Sequence, residues 1–192
     1  MKPNTERTRS GALWRCRSMN RRLVLKGALP LAAIPLLLGC SRPRPPTEKA
    51  AAEKVAPLDK PNEFWRDKLS PAAYAVLFKD DTEPAFSSPL NEEKRDGTFI
   101  CAACYLPMFE SRYKYESGTG WPSFTQSIAG HLDTRADYAL ILPRTEYHCA
   151  RCRGHQGHIF EDGPPPLGLR WCGNGLAMNF VPQSEPMPPL RG

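Results

Sequence analysis

Two Cys-x-x-Cys pairs, Cys101-Ala102-Ala103-Cys104 and Cys149-Ala150-Arg151-Cys152, constrain this chain more than any other feature. A tight Cys-x-x-Cys turn sets two thiolates along one edge of a tetrahedron, and a second such turn completes a closed zinc site. The separation between the pairs exceeds that of a common zinc finger. The clip would therefore join distant parts of one domain as a staple, with no coordination position open to a substrate. Two other uses of the same residues stay open from the sequence: a pair of disulfides, which an exported protein permits, or a redox dithiol in one of the pairs.

The remaining cysteines isolate one residue. Of seven cysteines, Cys16 falls in the leader, Cys40 stands just after it as a lipid-anchor candidate and four form the clip, which leaves Cys172 alone. A single unpaired thiol is either buried and inert or kept for chemistry.

The leader also accounts for the charge. Residues 1–39 hold eight Lys/Arg against one acid, Glu6, so the net charge of +6 is concentrated there. The rest is close to neutral, which gives no electrostatic reason to expect a nucleic-acid partner. Arg21-Arg22 precedes an apolar run from Gly27 to Leu38, too short to span a bilayer and interrupted by Pro30 and Pro35. Leu37-Leu38-Gly39-Cys40 resembles a bacterial lipobox, whose Cys becomes the lipidated first residue, and Asn20–Lys26 resembles a twin-arginine export motif. Sec export and a noncleaved anchor are the alternatives. Met19, just before the arginine pair, is a second candidate start. The expected product is an exported, membrane-anchored lipoprotein facing the periplasm or the outer cell surface.

Residues 40–61 then read as the lipidated Cys and a flexible tether, rich in Pro, Ala, Glu and Lys and free of aromatics. The folded domain is expected over 62–183, with a C-terminal tail at 184–192. Ser70-Pro71 before Ala72–Leu77 is a helix start, with Ser70 as N-cap and Pro71 at the first helical position. Beyond Asp96-Gly97 come short strand candidates: Thr98–Ile100, Ser123–Thr125, Tyr138–Leu142 and Leu176–Val181. The reading is mainly β, a few N-terminal helices on an antiparallel core.

Three clusters surround the lone thiol in sequence terms. In Arg170-Trp171-Cys172-Gly173-Asn174 a strand period of two projects Arg170, Cys172 and Asn174 to one side, where a guanidinium favours thiolate over thiol. His155-Gln156-Gly157-His158-Ile159-Phe160, followed by Asp162-Gly163, supplies two imidazoles able to act as acids near neutral pH. Ser117-Gly118-Thr119-Gly120-Trp121 is a turn that presents an indole face, with Phe160 placed to close a cage around a small apolar group. Each has a plainer reading: a core cysteine, hydrogen-bonded core histidines or metal ligands, and a core tryptophan.

Together these motifs resemble the methionine-R-sulfoxide reductase (MsrB) family over roughly Asn62 to Val181. The resemblance rests on Leu69–Leu77, Thr82–Ser87, Cys-Ala-Ala-Cys at 101–104, Gly-Trp-Pro-Ser-Phe at 120–124, His-Gln-Gly-His-Ile-Phe at 155–160 and Arg-Trp-Cys-Gly-Asn at 170–174. It implies a small domain of two antiparallel sheets with a structural zinc. It also implies that Cys172 attacks the sulfoxide sulfur of the R epimer, in proteins or free, while His155 and His158 help protonate the oxygen. Cys172 is left as a sulfenic acid. Trp121 matches the residue that packs on the substrate methyl, and Asn174, Asp162 and Arg170 match polar positions around the site. Many members carry a resolving cysteine where this chain has Thr119. The expectation is therefore direct regeneration by an external, thioredoxin-like thiol. No oligomer interface is visible in the sequence, and a monomer is expected. The competing readings are a catalytically silent zinc module, which requires a buried Cys172, and an enzyme acting on glutathione or aldehyde adducts, which requires an open metal site.

Overall fold

Ser70 starts the only α-helix among the described residues, its hydroxyl accepting the Ala73 N–H at 3.1 Å. The computed structural model describes residues 54–139 and 142–192. The leader, Arg21-Arg22, Cys16, Cys40 and the tether before residue 54 lie outside them. Helix α1 (Pro71–Lys79) ends where Asp80 turns into the left-handed region at φ 54°. It buries Ala73, Tyr74, Val76 and Leu77, and Phe78 stacks on Trp65 from the preceding 3-10 turn at 6.1 Å. No helix among the described residues is long and apolar enough to cross a membrane.

Among the described residues nine strands follow, all antiparallel, in two sheets. They are β1 (Gly97–Cys101), β2 (Pro107–Glu110), β3 (Lys114–Tyr115), β4 (Ser123–Phe124), β5 (Leu132–Asp137), β6 (Arg144–Cys149), β7 (His155–Phe160), β8 (Arg170–Gly173) and β9 (Met178–Pro182). The small sheet has the order β2-β1-β9 and the large one β3-β4-β8-β7-β6-β5. Aromatic rings fill the space between them. Phe109 of the small sheet stacks on Phe124 of the large one at 4.1 Å, Phe99 meets the same ring at 4.9 Å, and Tyr147 packs edge-on against Trp171 at 5.1 Å. Each such buried ring contributes on the order of 1.5–3 kcal/mol. This is the mainly β, two-sheet architecture expected from the sequence.

Two strand expectations change. Tyr138, Ala139 and Leu142 belong to no strand; they lie on the β5–β6 connection, where Tyr138 is 75 % and Leu142 77 % exposed. Leu140 and Ile141, the rest of that expected strand, lie outside the described residues. Leu176 and Ala177 sit in a 3-10 turn that re-aims the chain, so β9 begins only at Met178. The tail and the end of the tether lie against the domain. The Leu58 N–H donates to the Arg151 carbonyl at 2.6 Å, and the Arg191 guanidinium donates to the Ala102 and Ala103 carbonyls at 2.6 and 2.7 Å.

Candidate active site

One cross-strand row of the large sheet carries most of the chemistry. Tyr115 faces Ser123, Ser123 faces Cys172, Cys172 faces His158, His158 faces Glu146, and Glu146 faces Arg135. Directly opposed side chains emerge on the same side of a sheet. The neighbouring row, with Phe124, Trp171 and Ile159, points into the core. Gly157 lets β7 approach β8 here, because a Cβ at that position would overlap the Cys172 carbonyl.

Cys172 is half-buried and lines a cavity of about 110 Å³ with Thr82, Trp121, His158, Phe160 and Asn174. Burial pushes its thiol up from the ordinary value. The Arg170 guanidinium and hydrogen bonds from Thr119, Ser123 and Arg170 pull it back without cancelling the rise. The silent-module reading required a buried Cys172, and this thiol reaches a cavity instead. A larger groove of about 710 Å³, near Lys68, Ser88 and Tyr105, contains none of the residues expected from the sequence.

Both histidines are fixed by carboxylates. His158 Nε2 donates to Asp137 Oδ2 at 2.8 Å, and the same oxygen accepts from Arg144 Nη2 at 2.7 Å. The backbone N–H of Ala139, then His158 and Arg144, hold the Asp137 carboxyl well below the usual range. An ionised carboxylate only accepts, so neutral His158 carries its proton on Nε2 and leaves Nδ1 as a base. Burial lowers the His158 pKa, and Asp137 offsets only part of the drop. His155 is buried and donates from Nδ1 to Glu146 Oε1 at 2.9 Å. Burial alone would raise the Glu146 carboxyl, but its bonds to Arg135 and His155 outweigh that and keep it below the ordinary value.

Not every expected residue reaches the cavity wall. Trp121 and Phe160 both do. The Trp121 indole is fixed by its N–H, which donates to the Glu83 carbonyl at 3.1 Å. Gly120, at φ 91°, makes the preceding turn possible, and Phe86 packs too closely on it for a Cβ. Arg170 and Asp162 are not on the wall. They form a two-pronged pair at 2.7 and 2.8 Å, with the guanidinium 4.3 Å over the Phe160 ring. Arg170 reaches the cavity through Phe160 and through its action on the Cys172 thiol, and Asp162 only through Arg170. His155 lies behind His158, ring centroids 5.3 Å apart, and lines an adjoining cavity of about 290 Å³. Asn174 is on the wall, but its amide is engaged: Oδ1 accepts from the Glu83 N–H at 3.1 Å and Nδ2 donates to the Gln156 carbonyl at 3.3 Å. Its place is that of a brace.

Asp137, Glu146, Arg144, Ser123 and Glu83 were not singled out from the sequence. Glu83 is 3 % exposed and accepts from the Gly175 and Leu176 N–H groups at 2.6 and 2.9 Å, tying the Trp121 support to the loop after β8. The carboxylates lie 21 and 9 residues from their histidines, and only strand register joins them. Alternation within Arg144–Cys149 is the one local signal that could have pointed to Glu146.

The four clip cysteines converge, with all their sulfurs within 4.8 Å of one another. Cys101 and Cys152 sulfurs are 3.6 Å apart, and Cys104 and Cys149 sulfurs 3.5 Å. A disulfide needs about 2.05 Å, whereas a tetrahedron with bonds of about 2.3 Å has edges near 3.8 Å. The set fits one four-coordinate metal ion, and all four residues are buried with no open face. Gln156 Nε2 donates to the Cys101 sulfur at 3.4 Å, linking the clip to the β7 strand that carries His155 and His158. Cys172 is the only thiol outside the clip among the described residues.

Comparison with known proteins agrees with this geometry. The SelR domain model matches residues 69–182, which include Trp121, His155, His158, Cys172 and the clip. A peptide methionine sulfoxide reductase MsrB of Bradyrhizobium diazoefficiens is 47 % identical over 125 residues, covering 65 % of this chain and 90 % of that protein. MsrB proteins of Pseudomonas entomophila and Leptospira interrogans are 45 % and 44 % identical, covering 66 % and 64 % of this chain and 97 % and 95 % of their own lengths. With the matching domain spanning most of the described chain and its motifs assembled around one half-buried thiol, this protein belongs to the SelR (MsrB) family.

Proposed function

We propose that this protein is a peptide-methionine (R)-S-oxide reductase with Cys172 as its nucleophile. The observation that carries the reading is the direct opposition of Cys172 and His158 at a cavity walled by Trp121 and Phe160. The sulfoxide methyl packs between the two rings, which places its sulfur over Cys172. His158 Nδ1 takes the thiol proton and the thiolate attacks the sulfoxide sulfur. The imidazolium then protonates the oxygen, which passes to the Cys172 sulfur as the S–O bond and the new sulfur–sulfur bond break and methionine leaves. Methionine sulfoxide plus Cys–SH gives methionine plus Cys–SOH, the sulfur of substrate being reduced and that of Cys172 oxidised.

Thr119 holds the position of a resolving cysteine, and the other described cysteines belong to the clip. An external thiol therefore attacks the sulfenic acid, releasing water and forming a mixed disulfide. A second thiol of the same donor frees Cys172 and leaves the donor as a disulfide. A thioredoxin-like protein is the expected donor. The metal of the clip is zinc, as the four-thiolate set favours, and it supplies a structural crosslink between the β1–β2 turn and the β6–β7 turn. The chain is exported and lipidated at Cys40, with residues 1–39 as its signal, on the strength of the leader motifs alone, and it acts as a monomer.

The test is a coupled assay of the purified chain on each methionine sulfoxide epimer with dithiothreitol, beside Cys172→Ser. Turnover of the R epimer that vanishes in the variant is expected. Turnover of the S epimer only, or activity that survives Cys172→Ser, would refute the reading. Peptide mapping of the oxidised protein should find no intramolecular disulfide at Cys172.

A further inference from the structure

The turn before Trp121 folds three hydroxyls into a chain that runs to the Cys172 sulfur. Ser117 Oγ lies 2.8 Å from Thr119 Oγ1 and 2.8 Å from Ser123 Oγ. Ser123, fully buried and directly opposite Cys172, also lies 3.0 Å from the Trp121 carbonyl. Ser123 faces Cys172 across the strand pair, and the Thr119 and Ser123 hydroxyls both act to lower the Cys172 thiol. The turn depends on Gly118 and Gly120, at φ 74° and 91°, and the Thr119 N–H donates to Ser117 Oγ at 3.4 Å, which fixes the middle hydroxyl.

Counting protons shows what such a chain can do. Each hydroxyl donates once and accepts twice. One end is a carbonyl, which only accepts, and the other is a sulfur whose role changes with its charge. When Cys172 is a thiol, S–H donates to Thr119, Thr119 to Ser117, Ser117 to Ser123, and Ser123 to the Trp121 carbonyl. When the sulfur is anionic the hydroxyls turn to it: Ser117 donates to Thr119, Thr119 to sulfur, and Ser123 leaves the Trp121 carbonyl for the sulfur. Only hydroxyl hydrogens rotate, and a single carbonyl loses a partner. Hydrogen bonds to an ionised acceptor are about twice as strong as neutral ones, so the reversed chain favours the anion.

We propose that Ser117, Thr119 and Ser123 form a reversible hydroxyl relay that turns its donors toward Cys172 when the sulfur becomes anionic. Thr119 and Ser123 touch the reacting sulfur, and Ser117 is a positioning residue acting through them. The inference rests on Cys172 being the nucleophile, and it gives the side chain at 119 a task in the first half of the cycle. The other groups around Cys172 are Arg170 on its own strand, paired with Asp162, His158 opposite on β7, and Tyr115 beyond Ser123. Tyr147 packs beneath Gly173 from the core side. None of these is altered by changes at 117 or 119.

The test is the pH dependence of Cys172 alkylation by iodoacetamide in the full chain, read by peptide mass mapping. Thr119→Val should move the midpoint up by about one pH unit, as expected for loss of a bond to the charged form. Alkylation at about pH 8 should slow several-fold. Ser117→Ala should move it the same way by less, and Thr119→Ser should restore the wild-type curve. A Thr119→Val curve superimposed on wild type, or a Thr119→Ser curve matching Thr119→Val, would overturn the relay. If circular dichroism shows Thr119→Val misfolded, Ser117→Ala decides: an unmoved midpoint there also overturns it. Alkylation needs no sulfoxide turnover, so a chain inactive on both epimers would sink the reductase reading while this curve still judged the relay.

Discussion

His158 and Asp137 are joined by one hydrogen bond, Nε2 to Oδ2 at 2.8 Å, across the edge of the large sheet. That bond sets the tautomer of the imidazole facing Cys172, and Arg144 steadies the same carboxylate oxygen at 2.7 Å. Asparagine at 137 keeps the shape but removes the charge, and its amide can present a donor instead of an acceptor. Asp137→Asn should lower kcat on the R sulfoxide by about 10² or more, the range of one acid–base group. Circular dichroism should remain that of wild type. A kcat within twofold of wild type would show that His158 does not depend on this partner.

The pH profile follows from two shifts of opposite sign. Burial raises the Cys172 thiol, so near neutral pH the reactive thiolate is scarce. It lowers His158, which is therefore neutral and able to accept a proton at the same pH. The free enzyme's kcat/KM should rise as His158 becomes neutral, hold while Cys172 is a thiol, and fall at alkaline pH once the thiol ionises and no proton is left for the oxygen. Arg170 is a source of positive charge at that sulfur, so Arg170→Met should displace the falling limb to higher pH. A kcat/KM that climbs through the alkaline range would contradict this.

Trp121 supplies one of the two apolar walls of the cavity, and its indole N–H is held by the Glu83 carbonyl. Losing that wall costs contacts made by the methyl group, about 1–3 kcal/mol in a hydrophobic pocket. Steady-state kinetics of Trp121→Ala should show kcat/KM reduced by roughly 10- to 200-fold. The alkylation midpoint of Cys172, read without substrate, should move far less.

Glu83 is buried where it accepts the Gly175 and Leu176 N–H groups. Removing its carboxylate orphans the buried Gly175 N–H, worth about 1–3 kcal/mol, and frees the part-buried Leu176 N–H. Glu83→Ala should destabilise the fold by about 2–4 kcal/mol in urea melts. Its residual activity should fall as well, because Trp121 and Asn174 lean on the same segment.

The clip predicts one tightly held zinc per chain by elemental analysis. Chelation, or Cys149→Ser, should unfold the chain or lower its Tm by about 10 °C or more, since structural zinc contributes folding free energy directly. Full stability with no bound metal would exclude a metal staple.

The sequence showed some parts of this molecule clearly and hid others, for physical reasons. Ser70-Pro71 announced a helix because capping is local, and the Cys-x-x-Cys turns announced a clip because two ligands lie within one turn. Cys172 stood out by elimination. The carboxylates did not stand out, because Asp137 and Glu146 lie on polar strands whose role comes from register with β7. The segment with Tyr138, Ala139 and Leu142 misled in the opposite sense at those described positions. Its apolar residues fit a strand pattern, yet Tyr138 and Leu142 are among the most exposed apolar side chains described, on a connection with no sheet face to meet. Arg170 acts on the thiol from its own strand, while its salt bridge with Asp162, which leaves neither on the cavity wall, was not visible.

The row from Tyr115 to Arg135 has one more implication. It runs at right angles to the chain, so no continuous segment of sequence contains it. Slipping β8 by a single residue would turn Trp171 out to solvent and drive Cys172 into the aromatic core. The cost of that error falls on the hydrophobic core as heavily as on the chemistry. Folding therefore proofreads the catalyst: any molecule that has hidden Trp171 has already aimed its sulfur.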